Sequence, residues 1–162
     1  MKLNNKGFSL IEVLAVVVIL GVLATIMIPM AGRMLQNNRE DNYKNIKKSI
    51  LVAARDYMSD HRYDITLSGV CELDDDGNNI GSRTVQFINE NEINGKLLVS
   101  YLINDKYING KITNPLTGKE LDETTSYVFV EYDCVTRNYV YGKCFDGDDG
   151  CSDTKKNVLI WK

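Results

Sequence analysis

The sequence predicts an α+β fold, in which one long N-terminal helix precedes a small antiparallel sheet. Residues 13–31 form a run of 19 residues without a charge. Residues 33–61 contain no glycine or proline, and their apolar side chains recur at steps of three and four, as on one face of a helix. Near the C-terminus, residues 126–132 and 138–141 are rich in β-branched and aromatic side chains, which favour strands. We expect the sheet to pack on the second half of the helix, because each element has an apolar face to bury.

The apolar run is long enough to cross a membrane. A spanning helix needs about 20 mostly apolar residues, and Thr25 is the only conventional polar side chain in this run. The preceding MKLNNKG carries Lys2 and Lys6, so this end is expected to stay on the cytoplasmic side. Two plain interpretations are a secretory signal peptide, with Val22-Leu23-Ala24 as its cleavage site, and a simple N-terminal anchor.

Neither plain interpretation explains Glu12, a carboxylate at the start of the apolar run. A charge in hydrocarbon costs on the order of 3 kcal/mol even on lenient insertion scales, so it usually marks function and requires a partner. A cut between Gly7 and Phe8 would create a cationic amine four residues before Glu12. In a bundle of staggered copies, Glu12 of one chain could then meet the Phe8 amine of a neighbour, and each charge would neutralise the other.

The segment KGFSLIE (residues 6–12), followed by the unbroken apolar run, resembles the N-terminal signature of type IV prepilins and pseudopilins. The resemblance implies that a membrane-embedded prepilin peptidase cuts after Gly7 and methylates the amine of Phe8. It also implies that Glu12 serves recruitment into a fibre. Family members usually have threonine where Ser9 stands, and both are small hydroxyl residues.

The same resemblance implies a pilin-like organisation of the chain. Residues 1–7 would be a leader that is removed, residues 8–32 a transmembrane and polymerisation helix, and residues 33–162 a globular head that includes the amphipathic half of the long helix. Gly21 and Pro29 fall where the family's helix loosens on assembly, and both residue types weaken a helix interior.

The resemblance further implies the partners and the location. The partners are other copies of the chain or other pilins in a helical fibre, the prepilin peptidase, the assembly machinery in the membrane, and membrane lipid before assembly. The precursor would be a single-pass protein of the cytoplasmic membrane with its head outside. After assembly it would lie in a cell-surface pilus, or in a periplasmic or cell-wall pseudopilus.

The second half of the long helix is predicted to be amphipathic. Its apolar stripe consists of Tyr43, Ile46, Ile50, Ala54 and Tyr57, and its polar side chains off the stripe are Lys44, Lys47, Lys48, Arg55 and Asp56. The three lysines are interpreted as a solvated helix face. The formal net charge is −3, and phosphate contacts need clustered lysine and arginine, so no nucleic acid partner is expected.

The head is predicted to begin around Tyr63 with a loop-rich stretch and to end in strands. Residues 63–95 are interpreted as loops with a turn at 74–79. Residues 97–108 are apolar and ambiguous, and we favour a short helix that ends before Gly110. Residues 126–132 and 138–141 are predicted to form an antiparallel hairpin with Thr136-Arg137 between its strands, and residues 157–161 a last strand.

The four cysteines, Cys71, Cys134, Cys144 and Cys151, all lie in the predicted head. None forms a CxxC pair and His61 is poorly placed to complete a zinc site, so disulfides are favoured for a chain exported across the membrane. Three pairings are open from the sequence. We favour Cys144–Cys151, which closes a short loop, together with Cys71–Cys134, and free buried cysteines are the alternative.

An acidic cluster near the C-terminus is a candidate calcium-binding site. It consists of Asp146, Asp148, Asp149 and Asp153 around two glycines. Oxygen ligands on a glycine-containing loop suit Ca²⁺, and major pseudopilins of secretion systems resemble this in carrying a calcium-binding loop near the C-terminus. The full EF-hand pattern is missing, so acidic solvated turns are the alternative, and the chain is expected to need no other cofactor.

No motif for catalysis occurs in the sequence, which lacks a nucleophile elbow, a phosphate-binding glycine loop and a zinc-protease motif. The chain is therefore predicted to be a structural fibre subunit and not an enzyme. The alternative is a membrane-anchored protein that binds a ligand through its head, or the tip protein of a DNA-uptake pilus. Glu12 distinguishes the fibre subunit from the membrane-anchored binding protein, because a simple membrane anchor does not need a carboxylate at this position.

Overall fold

The computed structural model describes residues 9–87, 95–151 and 155–162. The chain divides into two compact units, Met1–Asp41 and Asn42–Lys162. The elements in chain order are α1 (Leu10–Asp60), β1 (Ile65–Ser68), β2 (Glu72–Leu73), β3 (Asn79–Ile80), β4 (Ser82–Phe87), β5 (Lys96–Leu98), α2 (Val99–Asn104), β6 (Tyr127–Asp133) and β7 (Asn138–Tyr141). A long N-terminal helix followed by a small antiparallel sheet confirms the predicted α+β fold.

In the first unit, α1 is helical throughout, including at Gly21 and Pro29. Thr25 is the only conventional polar side chain in the apolar run. Its hydroxyl donates a hydrogen bond to the carbonyl of Val22 at 2.7 Å, so this polar group has a partner within the helix. A β-carbon added at Gly21 would meet no atom within 4 Å, so packing within the chain does not require glycine there.

In the second unit, the predicted apolar stripe of the helix packs into the core. Ile50, Ala54 and Met58 are almost fully buried with side chains from the sheet and from α2. The buried partners on the other elements are Val85, Leu97, Val99, Leu102, Val128 and Val130. On β6, Val128 and Val130 alternate with less buried residues, which is the pattern of a strand with one face on the core.

The sheet is built around β6. On one edge β6 pairs antiparallel with β4 and β5, and on the other with β7. Strand β1 pairs with the far side of β4, and β2 and β3 form a separate two-stranded ribbon. Gly95 lies where β4 gives way to β5: its φ is +72°, and an added β-carbon would approach the ring of Phe129 and the carbonyl of Val130 to 3.2 Å. Glycine is therefore required at this junction.

The β6–β7 hairpin lies where the sequence predicts it. Its strands are Tyr127–Asp133 and Asn138–Tyr141. The Asp133 carboxylate accepts the backbone N–H groups of Val135 and Thr136 in the turn. These hydrogen bonds lower the pKa of Asp133, so the turn is held by a charged acceptor.

The prediction of a last strand at residues 157–161 is wrong. The C-terminal segment forms isolated bridges with three different segments, at Phe145, Tyr127 and Leu121. At the start of this segment the side chain of Asn157 is fully buried. Its Oδ1 accepts the Phe129 N–H at 2.9 Å and its Nδ2 donates to the Gly142 carbonyl at 2.8 Å. The side chain thus replaces one of the two main-chain hydrogen bonds between Phe129 and Gly142 where β7 ends; the other, from the Gly142 N–H to the Phe129 carbonyl, is made at 2.9 Å.

Two further predictions need correction. Residues 63–95, interpreted as loops, contain β1 to β4, because β1 and β4 are short strands stabilised by pairing with each other and with β6. The turn at 74–79 does lie between β2 and β3. The short helix favoured for residues 97–108 is present as Val99–Asn104 and ends before Gly110. Its start needs correction, because Lys96–Leu98 form strand β5 and pair with β6.

Both disulfides follow the pairing that the sequence analysis favoured. Cys71 is bonded to Cys134, which ties the segment before β2 to the β6–β7 turn, with a Cα–Cα distance of 5.7 Å. Cys144 is bonded to Cys151, which closes the loop after β7, with a Cα–Cα distance of 5.9 Å. No cysteine is free, so none is available as a metal ligand.

Candidate functional site

The start of α1 is organised by Ser9. Its hydroxyl oxygen accepts the main-chain N–H of Glu12 at 3.3 Å, and its carbonyl accepts the same N–H at 3.0 Å. Serine three residues before a glutamate at a helix start is the sequence pattern of a capping box, of which the serine half is formed here. Glu12 lies in the first turn, where the helix dipole favours a negative charge. Its carboxylate makes no hydrogen bond or ion pair with any residue from 9 onwards that the structure describes.

Apolar side chains cover every side of the helix that follows. Their exposed fractions between residues 10 and 35 range from 44% at Leu23 to 86% at Leu10. The set comprises Leu10, Ile11, Val13, Leu14, Val16, Val17, Val18, Ile19, Leu20, Val22, Leu23, Ile26, Met27, Ile28, Met30, Met34 and Leu35. Burying one such side chain fully is worth about 1.5–3 kcal/mol, so this surface needs an apolar cover.

By its length and composition α1 can cross a membrane. It contains an 18-residue apolar window with no more than two charged residues, and no part of that window is buried. A helix apolar all round is typical of a membrane span or of the core of a larger assembly. The same test is passed by a cleaved signal sequence, so the window by itself does not decide between an anchor, a signal peptide and a fibre subunit.

A comparison with protein-family models decides what kind of N-terminus this is. Residues 2–28 match the model described as the prokaryotic N-terminal methylation motif. The chain carries a type IV prepilin-type signal. The match includes Gly7, Phe8 and Glu12, which confirms the resemblance read from residues 6–12. Comparisons with curated proteins and with solved structures found no match.

The prepilin-type signal supports an exported subunit that is pilin-like or pseudopilin-like, and a signal of this type implies processing by a prepilin peptidase and assembly into a fibre. Gly7 and Phe8 lie outside the residues that the structure describes. Glu12, Gly21 and Pro29 lie along α1. The roles of these five residues, like the boundaries after residues 7 and 32, stay predictions.

The acidic cluster near the C-terminus is partly engaged by lysines. Asp146 forms an ion pair with Lys156 at 2.6 Å, and Asp148 forms one with Lys47. Asp149 is exposed, and Asp153 lies outside the described residues. Within 9–87, 95–151 and 155–162, no three His, Cys, Asp or Glu side chains are placed to hold a metal ion. The calcium hypothesis therefore stays an untested prediction, with two of its four ligands already paired.

Lys47 is the residue that sequence reasoning misplaced. It was assigned to a solvated face with Lys44 and Lys48, yet its side chain is only 12% exposed. Its ammonium pairs with Asp148 and lies 4.4 Å from the ring centroid of Tyr43 and 5.4 Å from that of Phe145. Lys47 thus attaches the loop closed by the Cys144–Cys151 disulfide to the helix. Its position, four residues after Tyr43, was the signal that could have indicated this.

Proposed function

We propose that the chain is a subunit of a type IV pilus or pseudopilus that is cut after Gly7, methylated on Phe8 and polymerised through its N-terminal helix. The signal and the apolar helix fit a membrane-anchored precursor that later enters a surface fibre. In this proposal lipid covers the exposed apolar side chains before assembly, and neighbouring helices cover them afterwards.

The observation that carries the proposal is the combination of Glu12 with this motif. Its backbone is used at the helix start, while its carboxylate has no partner among the described residues. Cleavage after Gly7 would add a cationic amine at the positive end of the helix dipole, which is an unfavourable place for a cation. The Glu12 carboxylate of a neighbouring copy offers that amine a counter-charge.

The experiment compares Glu12→Val with wild type, each expressed as the only copy in the native host. The membrane-bound and sheared-fibre fractions are quantified. We expect Glu12→Val to insert normally, because removing the charge lowers the insertion cost by roughly 3 kcal/mol. We expect it to be missing from fibres, because each Phe8 amine would enter an apolar core without a counter-charge. Glu12→Asp retains the charge and serves as the matched control.

Intact-mass measurement on the same samples tests the processing step. Loss of MKLNNKG with one added methyl group is expected, and it changes the formal net charge from −3 to −5 by removing Lys2 and Lys6. A mature terminus at Thr25 would identify an ordinary signal peptide. Normal incorporation of Glu12→Val into fibres would reject the pairing with Phe8. Wild-type chains that stay in the membrane and never enter fibres would favour the alternative of a membrane-anchored binding or DNA-uptake protein.

A further inference from the structure

A groove of about 910 Å³ opens in the second unit between the end of α1 and strand β7. Its floor is apolar and aromatic, formed by Leu51, Met58, Tyr139 and Tyr141 among other residues. Its rim carries three cations, Arg55, Arg62 and Lys143, all exposed. In a chain of net negative charge, this is a local concentration of positive charge beside apolar surface.

The three cations are not neutralised within the described chain. None of them forms an ion pair with a described carboxylate. The Arg55 guanidinium lies 5.5 Å from the ring centroid of Tyr141, and Arg62 donates to the carbonyl of Ser59 at 3.2 Å. Asp56 is an acidic neighbour that acts on Tyr141, but it does not line the groove. The groove therefore keeps an excess of positive charge for an acidic occupant.

Strand β7 adds to the groove main-chain groups that have no hydrogen-bond partner among the described residues. The N–H of Gly142 donates to the carbonyl of Phe129, which fixes the alternation of the ladder between β6 and β7. Tyr139 and Tyr141 then direct their N–H and C=O groups away from β6. No other described strand pairs with this side of β7, so the edge is open to an extended segment.

The β2–β3 ribbon of the same chain carries exposed acidic and apolar side chains, which are complementary to the cationic and apolar side chains of the groove. Its turn bears Asp74, Asp75 and Asp76, and Val70 and Leu73 beside it are 83% and 65% exposed. The Asp74 carboxylate accepts the backbone N–H groups of Asp76 and Asn78 at 3.1 and 2.7 Å. These hydrogen bonds, above all those from Asn78, lower the pKa of Asp74. The turn is thus held in one shape with its other carboxylates exposed.

We propose that the groove of Arg55, Arg62 and Lys143 receives the acidic β2–β3 turn of a second copy of the chain. The inference rests on the proposed fibre function and adds a contact between heads. The acidic turn meets the cationic rim, while Val70 and Leu73 meet the apolar floor. The turn and the groove are different surfaces of one chain, so they can join successive copies head-to-tail, and such contacts form an open helical filament where the rotation does not close into a ring.

Charge reversal tests the contact in full-length chains expressed in the native host. Arg55→Glu with Arg62→Glu reverses the groove, and Asp75→Lys with Asp76→Lys reverses the turn. Each pair should lower the fibre-incorporated fraction by about fivefold, since exposed charge pairs are individually modest. All four changes together restore opposite charges and should return incorporation to near wild type. Lys48→Glu, an exposed lysine of the same helix outside the groove, should have no effect.

Crosslinking provides a second readout that does not depend on stability. A photoreactive amino acid at Ser59, an exposed groove residue, should crosslink in sheared wild-type fibres to residues 70–80 of a second copy. The same group at Val135, which is 65% exposed and outside the groove, should not. Crosslinks from Ser59 to another segment or another protein, or no crosslink above the Val135 control, would overturn the inference.

The outcomes separate this inference from the function on which it rests. If wild-type chains form no fibres, the proposed function fails. If they form fibres and both charge reversals incorporate normally, only the head contact fails. A loss of incorporation that the four-residue exchange does not restore also counts against the contact, because it indicates damage to the head instead.

Discussion

Replacing Asn157 with alanine should destabilise the second unit by about 2–5 kcal/mol. The residue is fully buried, and its amide serves the Phe129 N–H at 2.9 Å and the Gly142 carbonyl at 2.8 Å. Each buried main-chain group left without a partner costs about 1–3 kcal/mol. The space around the side chain is tight, because an added β-carbon at Gly142 would lie 2.6 Å from the Asn157 Oδ1. The substitution therefore removes two hydrogen bonds at one tightly packed place, where the C-terminal segment meets β6 and the end of β7.

Asn157→Asp distinguishes the lost donor from a general packing defect. The aspartate keeps an acceptor for Phe129 but cannot donate to Gly142, and its charge would be buried. Burial raises the pKa of a carboxyl group. Because the folded pKa would then exceed the unfolded value of about 3.9, stability is lost as pH rises above that value. Asn157→Asp should be closer to wild type at pH 4 than at pH 7, whereas Asn157→Ala should show no such trend.

The assay is urea unfolding of full-length, detergent-solubilised protein, followed by the fluorescence of Trp161. This is the single tryptophan of the chain, and its ring lies 5.9 Å from that of Tyr43 on the helix, so it reports on the packing of the second unit. Asn138→Ala, at an exposed position of β7, is the matched control. A change below about 0.5 kcal/mol for Asn157→Ala, the range of ordinary surface substitutions, would refute the role assigned to the amide.

Three further predictions concern the same unit. Lys47→Ala should cost about 1 kcal/mol, because it removes the cation from Asp148, whose side chain is 36% exposed and can be hydrated instead, whereas exposed Lys48→Ala should cost almost nothing in the same unfolding assay. Non-reducing peptide mapping of native protein should recover Cys71 with Cys134 and Cys144 with Cys151, and alkylatable thiols would contradict this. Hydrogen bonds from Thr124 and then Lys162 lower the pKa of Asp122 to about 2. The Asp122 carboxylate therefore stabilises the fold fully at pH values above its unfolded pKa of 3.8, and this stabilisation is lost as pH falls through about 2. The difference in Tm between Asp122→Asn and wild type should accordingly become smaller on acidification.

The long helix and the β6–β7 hairpin were predictable because their signals are local. Nineteen uncharged residues, and then a stripe at steps of three and four, leave few alternatives to a helix. Residues 126–132 and 138–141 carry β-branched and aromatic side chains on both sides of a turn. Each of these segments contains its own evidence of structure, so sequence alone locates it within one or two residues.

Strands β1 and β4 were missed because what stabilises them is distant in sequence. Ile65–Ser68 has only four residues, and Ser82–Phe87 begins with three consecutive polar residues, so neither segment gives a clear strand signal when it is taken alone. They pair with each other in register, and β4 pairs with Glu131–Asp133 of β6. The Arg83 side chain adds hydrogen bonds to the carbonyls of Leu67 and Gly69. None of these contacts can be recognised from the few consecutive residues that form each strand.

Lys47 and Asn157 show the same limit for single side chains. A lysine among lysines is most often solvated, and only the position of Asp148, about a hundred residues later in the chain, draws Lys47 into the head. A polar residue beside an apolar run is most often a strand end, and only its bonds to the Phe129 N–H and the Gly142 carbonyl explain why Asn157 is buried. Such roles depend on tertiary geometry that composition does not encode.

Glu12 differs from these residues, because local structure explains only part of it. The cap at Ser9 uses the main-chain N–H of Glu12, which any residue except proline would supply. Its carboxylate has no hydrogen-bond or ion-pair partner among the described residues, and it stands at the start of a run of exposed apolar side chains. A membrane anchor or a signal peptide would be better served by valine at this position. The charge makes sense when a cation is brought to it, and in the proposed fibre cleavage after Gly7, which the prepilin-type signal implies, would leave an amine at the start of each neighbouring helix.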